Sequence, residues 1–96
     1  MSYIGSPWKP GTTQVVAYTG TAGTIANATD AQTSVIRVVL TTAGHILISS
    51  GGTAATTSDV YMPAGVPEYF LVHGAVKVSG IQVAAGGNLH VTEMFR

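Results

Sequence analysis

The chain has 96 residues, no cysteine, 46% hydrophobic residues and only 8% charged ones, four acidic and four basic, for a formal net charge of zero. That length fits one domain, whose core has no disulfide or thiolate-metal support. No basic cluster gives nucleic acid a foothold, and no apolar run approaches the ~20 residues that span a bilayer. Ordinary soluble domains carry roughly a quarter charged residues, so this poverty of charge predicts a surface largely occupied by neighbours.

Residues 1–13 read as an extended N-terminal arm, and residues 14–96 as one folded domain. Pro7 and Pro10 bracket Trp8-Lys9, and proline fixes its own φ while biasing its predecessor to extended backbone. An arm carrying Tyr3, Ile4 and Trp8 is costly to leave in water. Two fates are open for it. Trp8 folds back to plug an end of its own domain, or the arm lies across a neighbouring subunit. The stretch before Trp8 lacks the charged start and apolar middle of a signal peptide; synthesis in a cytoplasm without general secretory export is the expectation.

A first short strand is predicted at residues 14–18, and a loop with a weak strand near Gly23-Thr24-Ile25 follows. Asn27-Ala28-Thr29 matches a glycosylation acceptor, which without a secretory signal is a chance match. Residues 31–41 hold the longest strand candidate, with Ile36, Val38 and Leu40 on one face and Val35 and Val39 flanking Arg37 on the other. Apolar residues on both faces mean a central strand, or one whose outer face meets another chain. Gly44 turns the chain into a strand at residues 45–49. Residues 50–58 carry no charge and little complexity, as expected of a long exposed loop that is mobile unless covered.

A short strand at residues 59–62 ends at Pro63, and the remaining strands fall at residues 69–73, 75–83 and 89–95. Val76 and Val78 share a phase, as do Leu89 and Val91, and Gly86-Gly87-Asn88 reads as the turn of a final hairpin between the two runs. Ile81 and Val83 are out of phase with Val76 and Val78, and a glycine at such a slip, here Ser79-Gly80, is the signature of a β-bulge. Seven or eight short strands with turns every 8–12 residues and no sustained helical period predict an all-β, single-domain antiparallel β-sandwich.

Chemistry has little to work with. His45, His73 and His90 lie 28 and 17 residues apart, matching no metal motif, and His90 and Glu93 are expected on opposite faces of one strand. Glu68, after Pro67, reads as a turn carboxylate accepting loop N–H bonds, in preference to a general acid. No Gly-x-Ser-x-Gly elbow supports a nucleophile, and the paired glycines precede no helix that would cradle phosphate. Trp8, Tyr18, Tyr61 and Tyr69 are too scattered for a sugar-stacking platform and suit core and interface packing better. The expectation is a protein without catalytic residues, metal or cofactor.

The start Met1-Ser2-Tyr3-Ile4-Gly5-Ser6-Pro7-Trp8 and the runs at residues 61–70 and 77–93 together resemble small virion-associated proteins encoded by tailed bacteriophages near the capsid and tail genes. The resemblance covers most of the chain, and its motifs are structural. It implies a capsid-decoration (cement) protein: a jelly-roll-like sandwich, a homotrimer on the capsid exterior, made in the bacterial cytoplasm and bound to the major capsid protein. Tyr3, Ile4, Trp8, Val35, Arg37, Val39 and Tyr69 are the expected interface residues, with no nucleic acid or membrane as partner. A tail or head–tail connector component and a carbohydrate-binding fibre or adhesin module are the alternatives.

Overall fold

Side chains that alternate between two environments every second residue form strands, and the computed structural model, which describes residues 8–95, contains eight. They are β1 (Lys9–Tyr18), β2 (Gly23–Thr24), β3 (Val35–Leu40), β4 (Gly44–Ser49), β5 (Val60–Met62), β6 (Glu68–Leu71), β7 (Lys77–Gln82) and β8 (Gly87–Phe95). No helix occurs among the described residues. The strands form two antiparallel sheets of four, in the order β1-β8-β3-β6 in the first and β2-β7-β4-β5 in the second.

The predicted alternation in β3 sets the interior. Ile36, Val38 and Leu40 are fully buried, and Leu89 and Val91 of β8 lie beside them in the same sheet. Ile46, Met62 and Val78 face them from the second sheet, with Tyr18, Ile25, Val72 and Val76 completing the cluster. As expected of a central strand, β3 has a partner on each side, β8 and β6.

Only the β4–β5 connection joins neighbours within one sheet; every other connection crosses between sheets. The expected final hairpin is therefore absent: β7 pairs with β2 and β4, and β8 with β1 and β3. Val76 and Val78 meet Leu89 and Val91 across the interior, not along a shared ladder. The expected bulge at Ser79-Gly80 is also absent, because the β4–β7 register runs unbroken from Ser49↔Lys77 to Gly44↔Gln82. Gly80 keeps the inward phase of Val78, and Tyr18 and Leu89 close over it, each 3.6 Å from where a Cβ would stand. Aromatic bulk from another strand thus fills the place of an inward side chain, while Val83 lies exposed beyond the strand end.

The register shift sits instead in β1, where Gly11 and Thr12 together oppose Glu93 between the pairs Pro10↔Met94 and Thr13↔Thr92. The Phe95 ring occupies the space a side chain at Gly11 would need. Residues 9–13, assigned to the arm in the sequence, thus lie in β1, at an edge where proline is tolerated; residues 1–7 lie outside the described residues. Gly23 is required by close approach, since a Cβ there would run into the Ala17 carbonyl oxygen.

Polar groups close both ends of the sandwich. At one, buried Glu93 accepts from the Asp30 N–H (3.0 Å) and the Thr33 hydroxyl, while the Thr29 hydroxyl donates to the Gly74 carbonyl and accepts from the Val76 N–H. At the other, the Tyr18 hydroxyl donates to the Thr42 carbonyl and accepts from the Thr42 N–H. Among the described residues no buried side-chain polar atom lacks a partner, as stable interiors require. Residues 50–58 are folded against the second sheet: Ala55 is buried and its N–H donates to the Ser79 hydroxyl at 2.9 Å, and the Thr53 N–H donates to the Ser49 hydroxyl.

Candidate functional site

Because the inward phase of the first sheet is spent on the core, the other phase makes a continuous outer face, and its register fixes which residues meet. One row crosses all four strands: Thr13, Thr92, Arg37 and Tyr69. The row beside it is Pro10, Met94, Val35 and Leu71, and on the far side Val15, His90 and Val39 form a third. Val15, Tyr69 and Leu71 are 55%, 52% and 70% exposed, while Val35, Arg37 and Val39 are half-buried. Trp8, Pro10, Thr13, Arg37, Tyr69, Thr92 and Met94 line a shallow groove of about 380 Å³ here. In it the Thr13 and Thr92 hydroxyls are hydrogen-bonded at 2.9 Å.

Five of the residues expected at an interface, Trp8, Val35, Arg37, Val39 and Tyr69, thus share one face. Tyr3 and Ile4 lie outside the described residues. Trp8 is half-buried on this outer groove and takes no part in the core cluster, so it does not plug the interior. Sequence reasoning missed Thr13, Thr92, Met94 and Val15, whereas Leu71 lies in the apolar run at residues 69–72 that it assigns to self-association. The signal for two of them was available: once Leu89 and Val91 are inward, Thr92 and Met94 must face out.

Arg37 is the charged member of the three rows, and its guanidinium makes no hydrogen bond or ion pair with another described residue. Glu68 does not accept the loop N–H bonds expected of it; it opens β6, a sheet edge, where its carboxylate is exposed and without a described partner. The other described carboxylates are engaged. Asp30 accepts from the Gln32 N–H, Asp59 from the Thr56 N–H and hydroxyl, and Glu93 from the groups at the sandwich end.

The histidines stay apart. His45 sits on the outer side of the second sheet, where Nδ1 bonds the Asp59 carbonyl and the ring meets Tyr61 edge-on at 5.6 Å. His73 follows β6, and His90 lies on the outer face of the first sheet, opposite in phase to Glu93. Among the described residues no three histidine, aspartate or glutamate side chains gather closely enough to hold a metal. Tyr18 is in the core, Tyr61 on the second sheet and Tyr69 on the first. A cleft of about 500 Å³ opens between the β5 and β6 edges, lined mainly by Ile46, Leu47, Ile48, Val60 and Phe70. No described helix is long and apolar enough to cross a membrane.

No protein-family model, curated protein or solved structure matches this chain.

Proposed function

We propose that this chain is a structural protein of a tailed-bacteriophage virion, a decoration protein that binds the outer surface of the head and strengthens it. The observation that carries the reading is the outer face of the first sheet. Val15, Tyr69 and Leu71 stand more than half exposed there around half-buried Val35 and Val39, on a chain with 8% charged residues. Apolar faces of that kind mark interaction sites. The strand orders β1-β8-β3-β6 and β2-β7-β4-β5 support a jelly roll, an eight-stranded double sheet that occurs in viral capsid proteins. The resemblance of residues 1–8, 61–70 and 77–93 to phage virion proteins supplies the setting.

A decoration protein adds buried area across joints between capsid subunits, so internal pressure must break more contacts to open the shell. At ~25 cal/mol per Å2 of apolar surface the gain per copy is modest, and lattice symmetry multiplies it. The expected assembly is a homotrimer on the major capsid protein. Particles stripped of the protein should release DNA at a lower temperature, and purified protein added back should restore the threshold. Equal thresholds with and without it, together with location at the tail or a fibre tip, would overturn the reading in favour of a connector or receptor-binding protein.

One observation favours a second reading as a carbohydrate-binding module. Trp8 and Tyr69 line the same groove as Arg37, Thr13 and Thr92, and a sugar ring stacks on aromatics while its hydroxyls bond such polar groups. Titration with host surface glycans separates the two, since a decoration protein gives no saturable glycan response.

A further inference from the structure

The chain holds four acidic and four basic residues, few enough for each described side chain to be followed individually. Asp30, Asp59 and Glu93 are each committed to hydrogen bonds within the fold. Of the bases, Lys9 is exposed, Lys77 lies with its stem beside Gly52, and Arg96 is outside the described residues. Glu68 is the described carboxylate left without a partner, and of the described cations that make no bond, Lys9, Arg37 and Lys77, Arg37 is the one that stands in the rows of the first sheet's outer face.

Arg37 and Glu68 are close in the sheet and cannot meet within one copy. Glu68 is registered opposite Val38, and Arg37 opposite Tyr69. Successive residues of a strand point to opposite sides, so the guanidinium leaves by the outer face and the carboxylate by the other side of the edge strand. We propose that Arg37 of one copy binds Glu68 of a second copy, so that the β6 edge of each chain seats on the outer face of its neighbour's first sheet.

The chemistry of both surfaces fits. Arg37 is half-buried and lines the same groove as Trp8 and Tyr69, and arginine's planar fork suits a carboxylate, which it can engage with two parallel bonds. Residues 1–7 contain no side-chain carboxylate, so the chain's own N-terminal stretch cannot supply it. Tyr69 and Leu71 stand on the outer face with Arg37, and their apolar area on that copy excludes water from the pair. Because the two charges lie on different surfaces, the contact is head-to-tail, and head-to-tail contacts close into rings when the rotation allows. The proposal rests on the oligomeric part of the reading above and is independent of the capsid part.

The test is sedimentation velocity of the full chain over a dilution series, with Arg37→Glu, Glu68→Arg and the double exchange. Circular dichroism and the thermal midpoint check that each variant is folded. Arg37→Gln and Glu68→Gln serve if a reversed charge disturbs folding. Each single change should weaken self-association roughly 30-fold or more, and the exchanged pair should recover most of it. The proposal is overturned if the singles associate like the wild type, or if the double exchange stays dissociated. It is also overturned if the wild type is monomeric throughout, or if Arg37→Glu abolishes binding to stripped particles while self-association persists. That last result would assign the carboxylate to the shell. The heating threshold of the particles judges the decoration reading separately in every case.

Discussion

The two sheets have unlike outer faces. Over the second sheet, residues 50–58 fold back so that Ala55 is buried and Ser79, an outward residue of β7, is fully covered and bonded to the Ala55 N–H. On the first sheet the outward residues Thr92 and Met94 of β8 are also covered, but Val15, Tyr69 and Leu71 stand more than half exposed around Arg37. A sheet face satisfied by its own chain contributes stability to the folded monomer, whereas one that presents apolar area and an unpaired cation contributes only when another surface arrives. The second sheet's outer face therefore contributes to folding, and the first sheet's is the face that the proposed assembly would use.

The largest effect that would break this contrast is a charge placed under the loop. Ala55→Asp puts a carboxylate where a buried methyl group now sits and should cost on the order of 3 kcal/mol. For a domain of this size the thermal midpoint should fall by more than about 12 °C. The same substitution at Leu71 should leave the midpoint within about 4 °C, because that side chain is already 70% exposed. Equal losses at the two positions in thermal denaturation would mean that both faces are closed by the chain itself.

A smaller effect sharpens the role of the loop. Ser79→Ala removes the acceptor of the Ala55 N–H and leaves a buried donor unpaired, for about 1–2 kcal/mol. Hydrogen exchange at Ala55 should accelerate in step with the loss of stability. Unchanged protection there would show that the loop is held by its other bonds, the Thr53 N–H to Ser49 and the Thr56–Asp59 pair.

How much of this was legible follows from what alternation encodes. Period two in Ile36, Val38 and Leu40 gave both the strand and its buried face, and the apolar residues flanking Arg37 marked the outer face as unusual. Alternation reports which face is buried and is silent on which strand lies alongside. Val76–Val78 and Leu89–Val91 therefore read equally well as a hairpin and as facing layers of a sandwich, and they are the latter. Gly80 looked like a break in phase because the residue that fills its space, Tyr18, is 62 positions away. Residues 50–58 carry no apolar pattern that announces a cover; one alanine and one hydroxyl acceptor on β7 seat them. The freedom of Glu68 was invisible for a related reason, since a carboxylate after proline looks the same whether it caps a turn or opens an edge strand.

The smallest effect on the monomer tests the first sheet directly. Leu71→Ser combined with Val15→Thr removes exposed apolar area at the two ends of the outer face, positions 70% and 55% accessible. Neither side chain belongs to the core cluster, and surface changes away from buried features shift stability by no more than about 0.5 kcal/mol. The thermal midpoint of the dissociated chain should therefore hold steady. Self-association should not. Fully burying a leucine in a contact is worth about 1.5–3 kcal/mol, so losing it should raise the dissociation constant between about 10-fold and 150-fold. Sedimentation velocity on the paired substitution reads this, with the thermal midpoint as its control. A falling midpoint with unchanged association would mean that the outer face of the first sheet packs within its own chain, and the contrast between the two outer faces would be lost.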